Sequence, residues 1–182
     1  RNGGRLACVN MQLEDSPEGQ FVETVVAATA ELEKEQNKRR VKDRQKARLE
    51  ADYWVFKNPV GYKYVQEAVK GKILVADEPS AGLISEAFRR YSTDSLLTQG
   101  DVLRFLQESK LINSRGNLQK LSYEDVKRIL TRSIYAGFIE YPKWKVEKRV
   151  GKHEPIVTAS VFEKVQEKLG RKKTIYRSGL EN

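Results

Sequence analysis

No glycine occurs between Gly19 and Gly61, and no proline between Pro17 and Pro59. The interval is filled with Ala, Glu, Gln, Leu, Lys and Arg, which all sit comfortably in a helix interior. A stretch this long with no breaker predicts one long helix, from Pro17 to about Ala51. Its start is marked by Asp15-Ser16-Pro17-Glu18-Gly19. Ser16 suits the N-cap, Pro17 the first helical position, and the Glu18 carboxylate the positive end of the helix dipole. At 1.5 Å per residue the helix runs roughly 50 Å.

The predicted helix changes character half-way. Phe21, Val22, Val25, Val26, Thr29 and Leu32 recur at helical spacing and form an apolar stripe. Beyond Leu32 the stripe fades. Lys34, Lys38, Arg39, Arg40, Lys42, Arg44, Lys46 and Arg48 then face only two acids, Glu35 and Asp43. Arg40, Arg44 and Arg48 are four residues apart and share one face. The whole chain of 182 residues carries 34 Lys+Arg against 25 Asp+Glu, a net charge of +9. The excess is uneven: residues 1–33 hold two basic and six acidic side chains, residues 34–72 twelve basic and five acidic. Such a basic region points to a polyanionic partner, most simply nucleic acid. A solvated charged helix is the blander reading of the same run.

Several classes of function are disfavoured. No run of eighteen apolar residues is present, so no membrane span is expected. One cysteine (Cys8) excludes an internal disulfide, and one histidine (His153) with it cannot complete a tetrahedral zinc site unaided. His153 sits in a basic loop and is expected at the surface or against DNA. No glycine-rich phosphate loop occurs, and no serine stands beside a histidine or lysine in a nucleophilic arrangement. No cofactor, metal or self-contained active site is expected.

The remaining chain reads as short elements. Leu6-Ala7-Cys8-Val9-Asn10-Met11 is a candidate strand. Tyr53 to Tyr62 reads as an extended aromatic and basic linker, since Pro59 disfavours helix at Asn58. Lys57, Asn58 and Tyr62 are its candidate contact residues. Tyr62–Val65 and Lys72–Val75 suggest a hairpin around Gly71. Helices are predicted from Ser80 through Tyr91, over 100–108, over 123–131 and over 159–169. Ser122 caps the third of these, with Asp125 at the capping-box position. Tyr135–Tyr141 and Glu154–Thr158 read as two strands joined by a basic loop. The pair 100–108 and 123–131 resembles a helix-turn-helix with a long turn, which places Tyr123, Lys127, Arg128 and Arg132 in or beside a major groove. Two ordinary core helices are the alternative.

The order of these parts resembles the large serine recombinase family, a group of phage integrases and transposases. The resemblance is carried by Asp15-Ser16-Pro17-Glu18-Gly19, Ala30-Glu31-Leu32-Glu33 running into the basic helix, and Pro59-Val60-Gly61-Tyr62. Phe88-Arg89-Arg90-Tyr91, Ile129-Leu130, Tyr135-Ala136-Gly137, Ile156-Val157 and Phe162-Glu163-Lys164-Val165-Gln166 follow in the family's order. It covers about residues 6–170.

The resemblance implies the following domain organisation. Residues 1–16 end a catalytic domain, and 17–52 form a helix that dimerises and then meets DNA. Residues 53–62 are a linker, 63–170 the recombinase DNA-binding domain, and 171–182 a basic tail. Phe21, Val22, Val25, Val26 and Leu32 would then pack in the dimer interface. Lys38, Arg40, Arg44 and Arg48 would contact DNA, with Arg40 at the family's phosphate-reaching arginine and Glu33 at its acidic position. The catalytic serine is expected upstream of Arg1 and the cysteine-bearing zinc ribbon beyond the C-terminus, so this chain should bind DNA without cutting it. The family often has glycine where Asp52 stands.

The expected fold is therefore mainly α with small β-hairpins. One long N-terminal helix precedes a compact helical DNA-binding domain with a helix-turn-helix-like core. The expected partners are duplex attachment-site DNA and a second copy of the chain, in a bacterial or phage-encoded cytoplasmic protein. A non-enzymatic helix-turn-helix regulator with a dimerising helix is the competing expectation.

Overall fold

A computed structural model describes residues 16–112 and 116–178, with side chains as far as residue 170. The strand expected at Leu6–Met11, Cys8 and the side chains of the basic tail lie outside the described residues. The chain forms two compact units that divide between Lys46 and Ala47.

The described part of the first unit is helix. It belongs to α1, Pro17–Glu50. Ser16 caps it as expected: its Oγ accepts from the Gly19 amide at 3.0 Å. Phe21, Val25, Val26 and Leu32 are all exposed, Phe21 by 69%.

The last turn of α1 belongs to the second unit and ends in a defined way. The Tyr53 amide donates to the Arg48 carbonyl, and the Asp52 amide to that of Leu49, both at 3.0 Å. This is a Schellman end, whose pivot residue must be left-handed. Asp52 fills that position with φ of 70°. The aspartate thus does here what a glycine does more cheaply.

The second unit continues with β1 (Tyr62–Glu67) and β2 (Gly71–Ala76), an antiparallel hairpin in which Tyr62 faces Ala76 and Glu67 faces Gly71. Four helices follow: α2 (Ser80–Ser92), α3 (Gln99–Glu108), α4 (Tyr123–Thr131) and α5 (Ala159–Ser178). Between α4 and α5 lies a second hairpin, β3 (Phe138–Tyr141) with β4 (Val146–Val150). The fold class expected from the sequence, mainly α with small hairpins, is the one observed.

The main core gathers one face of each helix. Ile84, Phe88 and Tyr91 of α2, Val102 and Leu106 of α3, Val126 and Leu130 of α4, and Val165 of α5 are fully buried. Both capped helices, α3 and α4, begin with reciprocal capping boxes, Thr98 with Asp101 and Ser122 with Asp125. A second, smaller core is built on Leu49, Ile139 and Val146, with Trp54, Val55, Phe56, Tyr141 and Trp144 packed against it.

Two expectations need correction. The strand expected over Tyr135–Tyr141 is shorter. Ser133–Ala136 form a 3-10 turn, Gly137 follows with φ of 83°, and only Phe138 onward is extended. Its partner is Val146–Val150, not Glu154–Thr158. Pro155 has no amide to give a ladder, and the Ile156 and Val157 amides both go to the Tyr135 carbonyl at 3.0 Å. The true turn, Pro142–Trp144, closes through Lys145 in a left-handed conformation with φ of 57°, where glycine would have announced it.

His153 is the second correction. It is buried, with Nε2 at 2.7 Å from the Ile134 carbonyl and its ring edge-on to Tyr62 at 5.6 Å. Gly151 makes room for it, since a Cβ there would stand 2.5 Å from Nδ1.

Candidate nucleic-acid interface

A cavity of about 530 Å³ opens between the segment that follows α1 and the outer face of α4. Everything that forms it lies in the second unit. One wall is Trp54 and Phe56 through Tyr62; the other is Asp125, Arg128, Ile129 and Arg132, with Tyr135 beyond. The α4 residues follow an i, i+3, i+4, i+7 pattern and so form one stripe.

The first wall is pinned at successive carbonyls. The Tyr64 hydroxyl donates to Phe56 O at 2.6 Å and lies 3.3 Å from Trp54 O. Trp54 Nε1 donates to Lys57 O at 3.2 Å, and Asn58 Nδ2 to Tyr62 O at 2.7 Å. The Tyr135 hydroxyl donates to Val60 O at 3.0 Å. Backbone acceptors with no ladder partner are thus met by side chains. The segment expected as a linker is a fixed loop, and Lys57 stands exposed on it.

The electrostatics are mixed, with cations in excess. Lys57, Arg128 and Arg132 face the cavity together with Asp77 and Asp125. Asp77 is neutralised by Lys63 Nζ at 3.0 Å. Asp125 is held below the usual carboxylate range, first by the Ser122 hydroxyl and amide, then by the charges of Arg128 and Lys57. Its carboxylate is committed to the cap of α4, and Arg128 Nη2 lies 3.4 Å away on the same helix. Arg128 keeps 59% of its side chain exposed, so its guanidinium remains available to a ligand. Among the described residues no cluster of His, Cys, Asp and Glu fits a metal ion.

The candidates named from sequence separate into groups. Lys57, Asn58, Arg128 and Arg132 come together on the two walls, although some seventy residues of chain lie between Lys57 and Arg128. Tyr123 and Lys127 share α4 and are exposed, but lie outside the cavity lining; Lys127 Nζ is 3.7 Å from Glu124. Tyr62 lines the floor with only 1% of its surface exposed, and its hydroxyl donates to Glu154 O at 3.0 Å. Burial raises its pKa far above the ordinary tyrosine value. Lys38, Arg40 and Arg44 are exposed on the first unit, where Lys38 pairs with Glu35 at 2.6 Å and Arg40 donates to Asn37 at 2.8 Å. Arg48 is engaged internally. Its Nη2 donates to the carbonyls of Lys70, at 2.9 Å, and of Lys72, and its guanidinium lies 4.5 Å from the Tyr53 ring centroid. Trp54, Phe56 and Gln119 line the cavity and were not singled out from sequence. The aromatic pair was visible in Tyr53-Trp54-Val55-Phe56, whereas Gln119 carries no sequence signal.

The model of the Recombinase family matches residues 78–172. The chain belongs to this family. The expected membership of the serine recombinases therefore holds. The matched stretch includes the α4 wall of the cavity but not the Lys57–Tyr62 wall.

Solved structures share the fold. One, a crystal structure of an LSR–DNA complex, is 20% identical with a TM-score of 0.55, covering 72% of this chain and 39% of its own. Another, concerned with the sequence requirements of the Listeria innocua prophage attP site, is 21% identical with a TM-score of 0.55, covering 72% of this chain and 52% of its own. The chain thus spans between two-fifths and about half the length of these solved chains. No curated protein sequence matches it.

Proposed function

We propose that this chain is the duplex-DNA-binding portion of a serine site-specific recombinase, recognising an attachment half-site for integration or excision of a mobile element. The observation that carries the reading is the cavity itself. A pinned loop bearing Lys57 and Asn58 faces the Arg128 and Arg132 edge of a short capped helix. Arginine on such a helix suits paired donation to guanine O6 and N7 in a major groove, and the loop cation suits a phosphate.

In this reading residues 63–170 read DNA and 53–62 thread beside it. Residues 17–52 dimerise through Phe21, Val22, Val25, Val26 and Leu32, then meet the backbone through Lys38, Arg40 and Arg44. Residues 1–16 and 171–182 are the end of a catalytic domain and a basic tail. The whole recombinase would join a serine to a 5′-phosphate, exchange strands and religate without a cofactor. None of the residues in the cavity supplies that nucleophile; their work is binding and register.

The test begins by selecting a preferred duplex from a random library. Arg128→Ala should then lose about 1–3 kcal/mol on that duplex and much less on a scrambled one. Equal losses on both would remove α4 as the reader.

A further inference from the structure

The turn of the β3–β4 hairpin carries charge that the cavity does not use. From Lys143 to Lys152 stand Lys143, Lys145, Lys148, Arg149 and Lys152 against a single acid, Glu147. Three of the five are occupied within the fold. Arg149 donates to Glu50 O at 3.2 Å, Lys148 Nζ lies over the Phe138 ring at 4.6 Å, and Lys152 Nζ over the Tyr53 ring at 4.8 Å. Lys143 and Lys145 are exposed, and among the described residues neither has an ion-pair partner.

These two lysines are held in place by their neighbours. The Lys145 amide closes the turn on Pro142 O at 2.9 Å. Between them Trp144 packs edge-on against Tyr141 at 4.9 Å and, tilted, against Phe56 at 5.4 Å, and Phe56 lies 4.4 Å from Tyr141. Phe56 also lines the cavity, beside the exposed Lys57. The aromatic group is therefore one body shared by the loop wall and the hairpin turn. The turn that carries Lys143 and Lys145 is thus packed on the same aromatic cluster as the loop wall that carries Lys57.

We propose that Lys143 and Lys145 form a second contact with duplex DNA, gripping phosphates next to the stretch held in the cavity. The inference rests on the cavity being a DNA-binding site. The partner chemistry follows from the two unpaired ammonium groups, which suit phosphate as point charges, and from the aromatic cluster their turn shares with the loop wall of that cavity. The contact is to backbone, so it contributes affinity and register but no base preference.

Salt dependence of binding to a mixed-sequence synthetic duplex tests this, because each phosphate contact adds about 0.9 to the slope of log K against log salt. Lys143→Gln combined with Lys145→Asn removes both charges, and asparagine tolerates the left-handed backbone at position 145. The slope should become shallower by about 1.8, with an unchanged urea midpoint. Lys143→Gln alone, which leaves the strained position untouched, should lower it by about 0.9. Lys164→Gln, an exposed lysine on α5, is the control for losing a charge and should leave the slope as it is. If the unaltered chain binds with a steep slope that the hairpin variants do not change, the hairpin contact is overturned while the cavity reading stands. A control that lowers the slope as much as Lys143→Gln also overturns it. If the unaltered chain binds no duplex, both readings fall.

Discussion

Replacing Tyr62 by phenylalanine distinguishes a residue that touches DNA from one that holds the cavity floor. Three backbone groups surround the hydroxyl that would be lost. It donates to Glu154 O at 3.0 Å, accepts from the Ile156 amide at 3.2 Å, and lies 3.4 Å from Ile134 O. Two of these have other partners. The Ile156 amide also reaches Tyr135 O at 3.0 Å, and Ile134 O receives His153 Nε2 at 2.7 Å and the Gly137 amide at 3.1 Å. Only Glu154 O is left without its donor. A stranded buried acceptor costs about 1–3 kcal/mol, so one partly buried carbonyl places the loss at about 1–2 kcal/mol. In a unit of this size that lowers the melting temperature by roughly 3–8 °C. Urea unfolding followed by Trp54 and Trp144 fluorescence measures the stability loss, and duplex titration at several salt concentrations reads any contact with DNA. The expected result is a lower unfolding midpoint with an unchanged salt slope. Stability within about 0.5 kcal/mol of the parent, together with a several-fold loss of duplex affinity, would refute the reasoning and put the hydroxyl on DNA.

Other outcomes follow from the same geometry. Arg44→Ala should make the salt slope of duplex binding shallower by about 0.9, whereas Arg48→Ala should leave it unchanged while destabilising the fold, because Arg48 is spent on the Lys70 and Lys72 carbonyls; equal slope losses would contradict this division. Burial lowers the His153 pKa, so the folded state favours neutral imidazole and the unfolded state binds more protons on the acid side. Stability from this residue is present above the unfolded value near 6.5 and is lost as pH falls below it, and His153→Gln should flatten that part of a urea-midpoint profile. Val25→Glu should abolish concentration-dependent self-association in sedimentation if the apolar stripe of α1 is a dimer interface; a variant that associates like its parent would remove that role.

Local chemistry was legible in the residues. Ser16 and Pro17 start a helix wherever they stand before a helix-forming run, and the observed cap is theirs. The Ser122–Asp125 box closes within four residues, so it needs nothing from the rest of the fold. The β1–β2 hairpin turns near Gly71 because the left-handed backbone there suits a residue without a side chain. The stripes on α2 and α4 follow helical spacing and found the core. Tertiary contacts decided the rest. Asp52 and Lys145 adopt left-handed turns that their side chains do not advertise, and the unadvertised turn at Lys145 is why the second strand of the β3–β4 hairpin is Val146–Val150 rather than the expected Glu154–Thr158. Arg48 looks like its neighbours Arg40 and Arg44 in sequence, yet two carbonyls more than twenty residues away claim it. His153 and Tyr62 have polar tips that permit a surface role, and only the carbonyls of Ile134 and Glu154 that receive them determine that both lie inside. The cavity depends on the same kind of contact. Lys57 and Arg128 face one space because Tyr62 and Tyr135 anchor the loop to the helical core, and no local preference of either segment encodes that meeting.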